Sequence, residues 1–141
     1  LGDDDDSADA GTGTLAVSFR IDEDWADAMD EPAIGSFRAT IYYSDEVTGL
    51  GPDDGATELA DIFVDVVDMT GADRTTGVLH TTEELPATWV TILGFVDSDA
   101  NSSEPHGPDD GDPVTLPNQN EFLVVTGAET PAEVLFDFLN P

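Results

Sequence analysis

Cysteine is absent from the 141-residue chain, so neither disulfides nor thiolate metal sites hold its fold. Lysine is absent too: three arginines, Arg20, Arg38 and Arg74, stand against 32 acidic residues, giving a formal net charge of −29. Such a surface repels phosphates and anionic lipid headgroups, which argues against nucleic acid and membranes as partners. No apolar run approaches the roughly 18 residues a bilayer-spanning helix needs, so no membrane insertion is expected. Catalytic signatures are missing as well. There is no Gly-x-Ser-x-Gly, no His-Glu-x-x-His and no phosphate-cradling glycine loop. His80 lies in a short strand-like stretch and His106 in an acidic loop, with no matching Ser-His-Asp spacing. Carboxylate pairs such as Glu83-Glu84 arise by chance among so many acids, and carry little information. The expected protein is not an enzyme.

What is present is a β pattern. An apolar content of 39% over this length suffices for one domain with a core. Residues 14–21 alternate strictly, with Leu15, Val17, Phe19 and Ile21 on one face, as in a strand with one side buried. Residues 36–43 repeat the pattern with Phe37, Ala39, Ile41 and Tyr43 inward, and residues 62–69 with Ile62, Val64 and Val66 inward. Between the first two lies an acidic stretch, residues 22–31, read as a solvated crossover with Trp25 and Met29 packed inward. Further strands are expected at 75–81, 89–96, 122–126 and 134–139, the last with Val134, Phe136 and Phe138 inward and Leu135 and Leu139 exposed. About seven short strands separated by turn signals, with no long helix, predict an all-β fold: an antiparallel two-sheet sandwich, Ig-like or transthyretin-like.

The chain is organised around residues 89–113. The apolar run Trp89-Val90-Thr91-Ile92-Leu93-Gly94-Phe95-Val96 reads as a buried central strand, with Trp89 in the core. It breaks into Asp97, Asp99 and Asn101 at alternate positions, and the following loop closes on Asp109-Asp110-Gly111-Asp112-Pro113. Alternating oxygen side chains let one short segment wrap a hard cation. An EF-hand is excluded, because Ser102 stands where its glycine belongs and Pro108 where its bidentate glutamate belongs. A looser site remains, with Asp97, Asp99 and Asn101 completed by Asp109, Asp110 or Asp112. Calcium is the expected ion, since the loop is flexible and carboxylate-rich. The rival reading is a solvated acidic turn.

Residues 1–13 form a separate acidic head, with Asp3 to Asp6 in a row, read either as a flexible tether or as an assembly arm; residues 14–141 form the sandwich domain. The chain opens Leu1-Gly2-Asp3 without an initiator Met, as a processed product does, and an extracellular or cell-surface address is expected.

The residues 88–101, then Gly111-Asp112-Pro113, Phe122-Leu123-Val124-Val125 and residues 134–139, resemble the transthyretin-like (prealbumin-like) sandwiches of bacterial secreted proteins and lipoproteins. There a strand ends in a D-x-D-x-N-like loop, followed by G-D-P and a closing hairpin. The resemblance implies a fold class and a compartment, and carries no catalytic residue over. The expected function is a non-enzymatic extracellular structural or interaction module, calcium-stabilised, self-associating or bound to another surface protein. The first and last strands are the expected edges for strand addition between subunits. The alternative is a monomeric glycan- or protein-binding surface domain, with Tyr42 the best-exposed aromatic.

Overall fold

Alternation in the first apolar stretch becomes β1 (Thr12–Ile21), whose Leu15, Val17, Phe19 and Ile21 are all buried. A computed structural model describes residues 11–29, 32–48, 51–97, 112–116 and 119–139. After β1 come α1 (Glu23–Ala28), β2 (Ile34–Tyr43), a 3-10 turn (Ser44–Glu46), β3 (Val47–Thr48), β4 (Gly51–Pro52) and β5 (Glu58–Asp68). The second half adds β6 (His80–Thr81), β7 (Leu85–Pro86), β8 (Trp89–Asp97), β9 (Glu121–Leu123) and β10 (Glu129–Phe136). The chain is an all-β sandwich. One sheet runs β10-β1-β6 with β7 also on β1; the other runs β5-β2-β8-β9; β3 and β4 form a small separate ribbon.

Pairing between these strands is antiparallel except at β1 and β10, which run parallel from Thr14↔Glu129 to Ile21↔Phe136. β1 therefore has neighbours on both sides. It is not an edge, and strand addition through it is closed off. The expected head boundary also moves, since Thr12 and Gly13 belong to β1 and pair with Pro86 and Leu85. Residues 1–10 of the head lie outside the described residues.

The core is sealed where β1, β2 and β10 meet. Phe19 meets Phe37 edge-on at 4.7 Å, Phe37 meets Phe136 edge-on at 5.8 Å, and Phe19 stacks on Phe136 at 6.4 Å. Burying each such ring contributes about 1.5–3 kcal/mol, with up to about 1.5 more for the ring geometry.

Four local expectations are corrected. The stretch expected as a crossover holds the short helix α1, and its Trp25 and the following Met29 pack against the core as expected. Within β5 the register slips between the Gly35 and Phe37 pairings, so Val67 takes the core position and Val66 is left 54% exposed. A two-residue period cannot anticipate a bulge, which adds one residue and reverses the faces beyond it. Only His80–Thr81 of the stretch 75–81 is a regular strand, although Thr76 and Leu79 still donate backbone hydrogen bonds to Phe19 and Val17. Finally, Leu135 and Leu139 are half-buried rather than exposed.

Candidate functional site

β8 crosses the second sheet between β2 and β9, and carries a candidate site at each end. Val90, Ile92 and Val96 face the core, whereas Trp89, Thr91, Leu93, Phe95 and Asp97 alternate onto the outer face.

At the far end Asp97, 6% exposed, is paired with Ser36 of β2. The returning chain docks beside it: Val114 bridges antiparallel to Phe95, and the Val96 amide donates to the Pro113 carbonyl at 3.0 Å. Thr115 clamps the same crossing, donating from its amide to the Gly94 carbonyl and accepting from the Gly94 amide at its Oγ1, both at 3.0 Å. Extending this register sets Asp97 opposite Asp112, which is fully buried. Two carboxylates of the expected ion loop are thus buried at its two stems. Hydrogen-bond donors or a hard cation can hold two buried carboxylates side by side. Asp99, Asn101, Asp109 and Asp110, the other expected ligands, lie outside the described residues, as does His106. Among the described residues no three His, Asp or Glu side chains gather as a metal-binding group.

Across the middle of the outer face lies a shallow groove. Two hollows of about 380 and 570 Å³ share Thr40, Leu93, Gly94 and Phe95. The Arg38 guanidinium sits 4.8 Å from the centre of the Phe63 ring, and Thr40 donates to Asp61 at 3.1 Å. Tyr42, in the same groove, is half-buried. Burial first, and then the nearby Glu58 carboxylate, push its phenol pKa above the usual value.

At the near end of β8, Trp89 is 51% exposed and is not a core residue as expected. It opens the strand beside the thin edge strand β9, where its cross-strand partner is Leu123, itself exposed, as is Val125 just beyond. The 3-10 turn folds over this end, its Ser44 hydroxyl 2.8 Å from that of Thr91. Tyr43, Ser44, Asp45, Thr88, Trp89 and Glu121 enclose a hollow of about 390 Å³. Sequence reasoning missed this pocket, since its parts come from three separated segments. Trp89 is exposed because it lies on the outer face of β8, opposite Val90, and an apolar run with both alternating sets apolar does not signal which face is covered. The remaining singled-out aromatic, Trp25, is structural: its indole N–H donates to Asp137 at 3.1 Å and its ring meets Phe138 edge-on at 5.7 Å.

Comparison with protein-family models, curated proteins and solved structures returned no match.

Proposed function

We propose that this protein is a non-enzymatic extracellular or cell-surface interaction module whose transthyretin-like sandwich is stabilised by calcium at the loop following β8. The observation that carries the reading is the burial of Asp97 and Asp112 at the two stems of that loop. A buried carboxylate needs hydrogen-bond donors or a cation beside it, and a hard cation can serve both ends of the loop at once. A cation between them offsets their repulsion, and Asp99, Asn101, Asp109 and Asp110 are close enough in sequence to complete its shell. The net charge of −29 supports an ion-rich setting, where counterions screen such a surface.

Association with other copies would run through the sheet faces or through bridging cations, since β1 is interior. The resemblance that suggests this compartment rests on the strand, loop, G-D-P and closing-hairpin order.

Thermal unfolding in calcium, in EGTA and in matched sodium chloride tests the ion. Calcium should raise the melting temperature well beyond sodium, and Asp112→Asn should remove that difference. Equal stabilisation by both salts would discard calcium and leave general salt adaptation. Sedimentation velocity across the same titration tests self-association; a monomer at every calcium concentration rejects the assembly and leaves the monomeric binding module.

A further inference from the structure

We infer that the hollow at the start of β8 is a recognition site for the lysine ammonium of a partner polypeptide. This deepens the interaction-module reading by naming the chemistry of the partner. The hollow sets the exposed indole of Trp89 among the carboxylates Asp45 and Glu121, with Tyr43, Ser44 and Thr88 completing its lining. Ring faces attract a cation through their quadrupole, and carboxylates add charge to the same end. The lining holds no arginine, amide or other strong donor, so the anionic ends of a ligand find nothing to bind. Its donors are the Trp89 indole N–H and the hydroxyls of Tyr43, Ser44 and Thr88, and its fixed charge is wholly negative, which favours a cation over a neutral sugar.

The ligand is a side chain rather than a free metabolite, because the hollow is an open recess at the edge of a sheet. Exposed Leu123 and Val125 continue the apolar surface from Trp89, giving the partner backbone and its neighbouring side chains a place to lie. A second copy of this chain supplies no ammonium side chain: it has no lysine, its three cations are arginines of which Arg20 is the exposed one, and its net charge of −29 repels a like copy. The partner is therefore a different, lysine-bearing protein. The site lies about 26 Å along β8 from Asp97, so it is independent of the ion loop.

The test follows the Trp89 indole N–H by NMR while a capped peptide with one central lysine and otherwise uncharged residues is titrated at 0.15 M sodium chloride. The expected result is a saturable shift of that resonance, with no shift for the Nε-acetyl-lysine peptide. Trp89→Ala and the double variant Asp45→Asn, Glu121→Gln should each weaken binding about tenfold, as read by calorimetry. Glu133→Gln, an exposed acid on the opposite sheet, should change it less than about twofold. Trp89→Phe keeps a ring in place and should retain part of the affinity, which separates recognition from misfolding. Equal weakening by Glu133→Gln and Trp89→Ala would reduce the effect to diffuse attraction by an acidic surface and overturn the site. A shift produced by neutral oligosaccharides and not by the lysine peptide would overturn it in favour of glycan. If calcium still raises the melting temperature while the peptide fails, only this pocket falls and the ion-stabilised module stands.

Discussion

Asn120 holds a left-handed backbone, φ 62°, which asparagine tolerates better than most residues, and its side chain does what a strand would do. Its amide nitrogen donates to the Leu135 carbonyl at 3.0 Å and its oxygen accepts from the Leu135 amide at 2.7 Å. One carboxamide thereby plugs the free side of β10 and ties it to β8, where Ile92 donates to the Asn120 carbonyl at 3.1 Å. Asn120→Ala keeps the strained backbone and loses both side-chain bonds. Denaturant unfolding should show a loss of about 2–3 kcal/mol. Gly94 is fixed by closeness: a Cβ there would lie 2.3 Å from the Arg38 carbonyl oxygen and 2.5 Å from the Ala39 Cβ. Backbone cannot yield like a flexible side chain, so Gly94→Ala should cost about 1–3 kcal/mol in the same assay. Asp68, the last residue of β5, and Asp73, in the turn that follows, are exposed, their carboxyls held below the usual pKa by hydrogen bonds from Thr70 and Thr75 respectively. A depressed folded pKa means stabilisation present above the unfolded value and lost as pH falls through the folded one. The double variant Asp68→Asn, Asp73→Asn should accordingly melt lower than the parent at pH 7, and the two curves should converge in strong acid.

At the scale of elements, the question is which strand edges remain open. β10 is closed by Asn120 and by Pro131, which has no N–H to offer. β9 is three residues long, and β6 and β7 two each. β5 is different: eleven residues with β2 on one side only. Two register slips interrupt it, and Glu58, Asp61, Asp65 and Asp68 stud its length beside exposed Phe63 and Val66. Bulges and charge on an exposed edge are how natural sheets avoid pairing with other sheets. Replacing Asp61 and Asp65 by Thr should therefore produce concentration-dependent oligomers in sedimentation, while Glu129→Gln and Glu133→Gln on the plugged edge should leave a monomer. These same slips mark the limit of what was legible in the sequence. Strict alternation located the core faces of β1 and of β2 as far as Ile41, because no bulge interrupts the inward residues Leu15 to Ile21 or Phe37 to Ile41, whereas Tyr43, also expected inward, is only half-buried and lines the hollow at the start of β8. It failed at Val66, where a bulge turned the face. It failed again at Trp89, where a large ring on the outer face of β8 stays in solvent. Asp97 and Asp112 were singled out as stems of the proposed ion loop, but their burial depends on Val114 and Thr115 docking beside β8, a long-range pairing with no local signature.

For the whole molecule the governing quantity is repulsion. The described residues contain one ion pair, Arg74 with Asp27 at 3.1 Å, on side chains that are both open to solvent. An exposed pair of this kind is worth about 0–1 kcal/mol, and salt weakens it. Against it stands an excess of 29 negative charges on a chain of 141 residues, every one repelling the others in the folded state more than in the extended chain. Raising ionic strength from 0.01 to 1 M shortens the screening length from about 30 Å to about 3 Å, from the size of the domain to that of a single contact. The repulsive sum runs over many pairs and the attractive one over very few, so screening must remove more of the former. Melting temperature should climb steadily with sodium chloride, and equally with potassium chloride, since no specific site is involved. The calcium effect at Asp97 and Asp112 should appear on top of this climb at concentrations too low to alter screening. A melting temperature that falls with added salt would mean that ion pairs outweigh repulsion, and would reverse this account of how so acidic a chain stays folded.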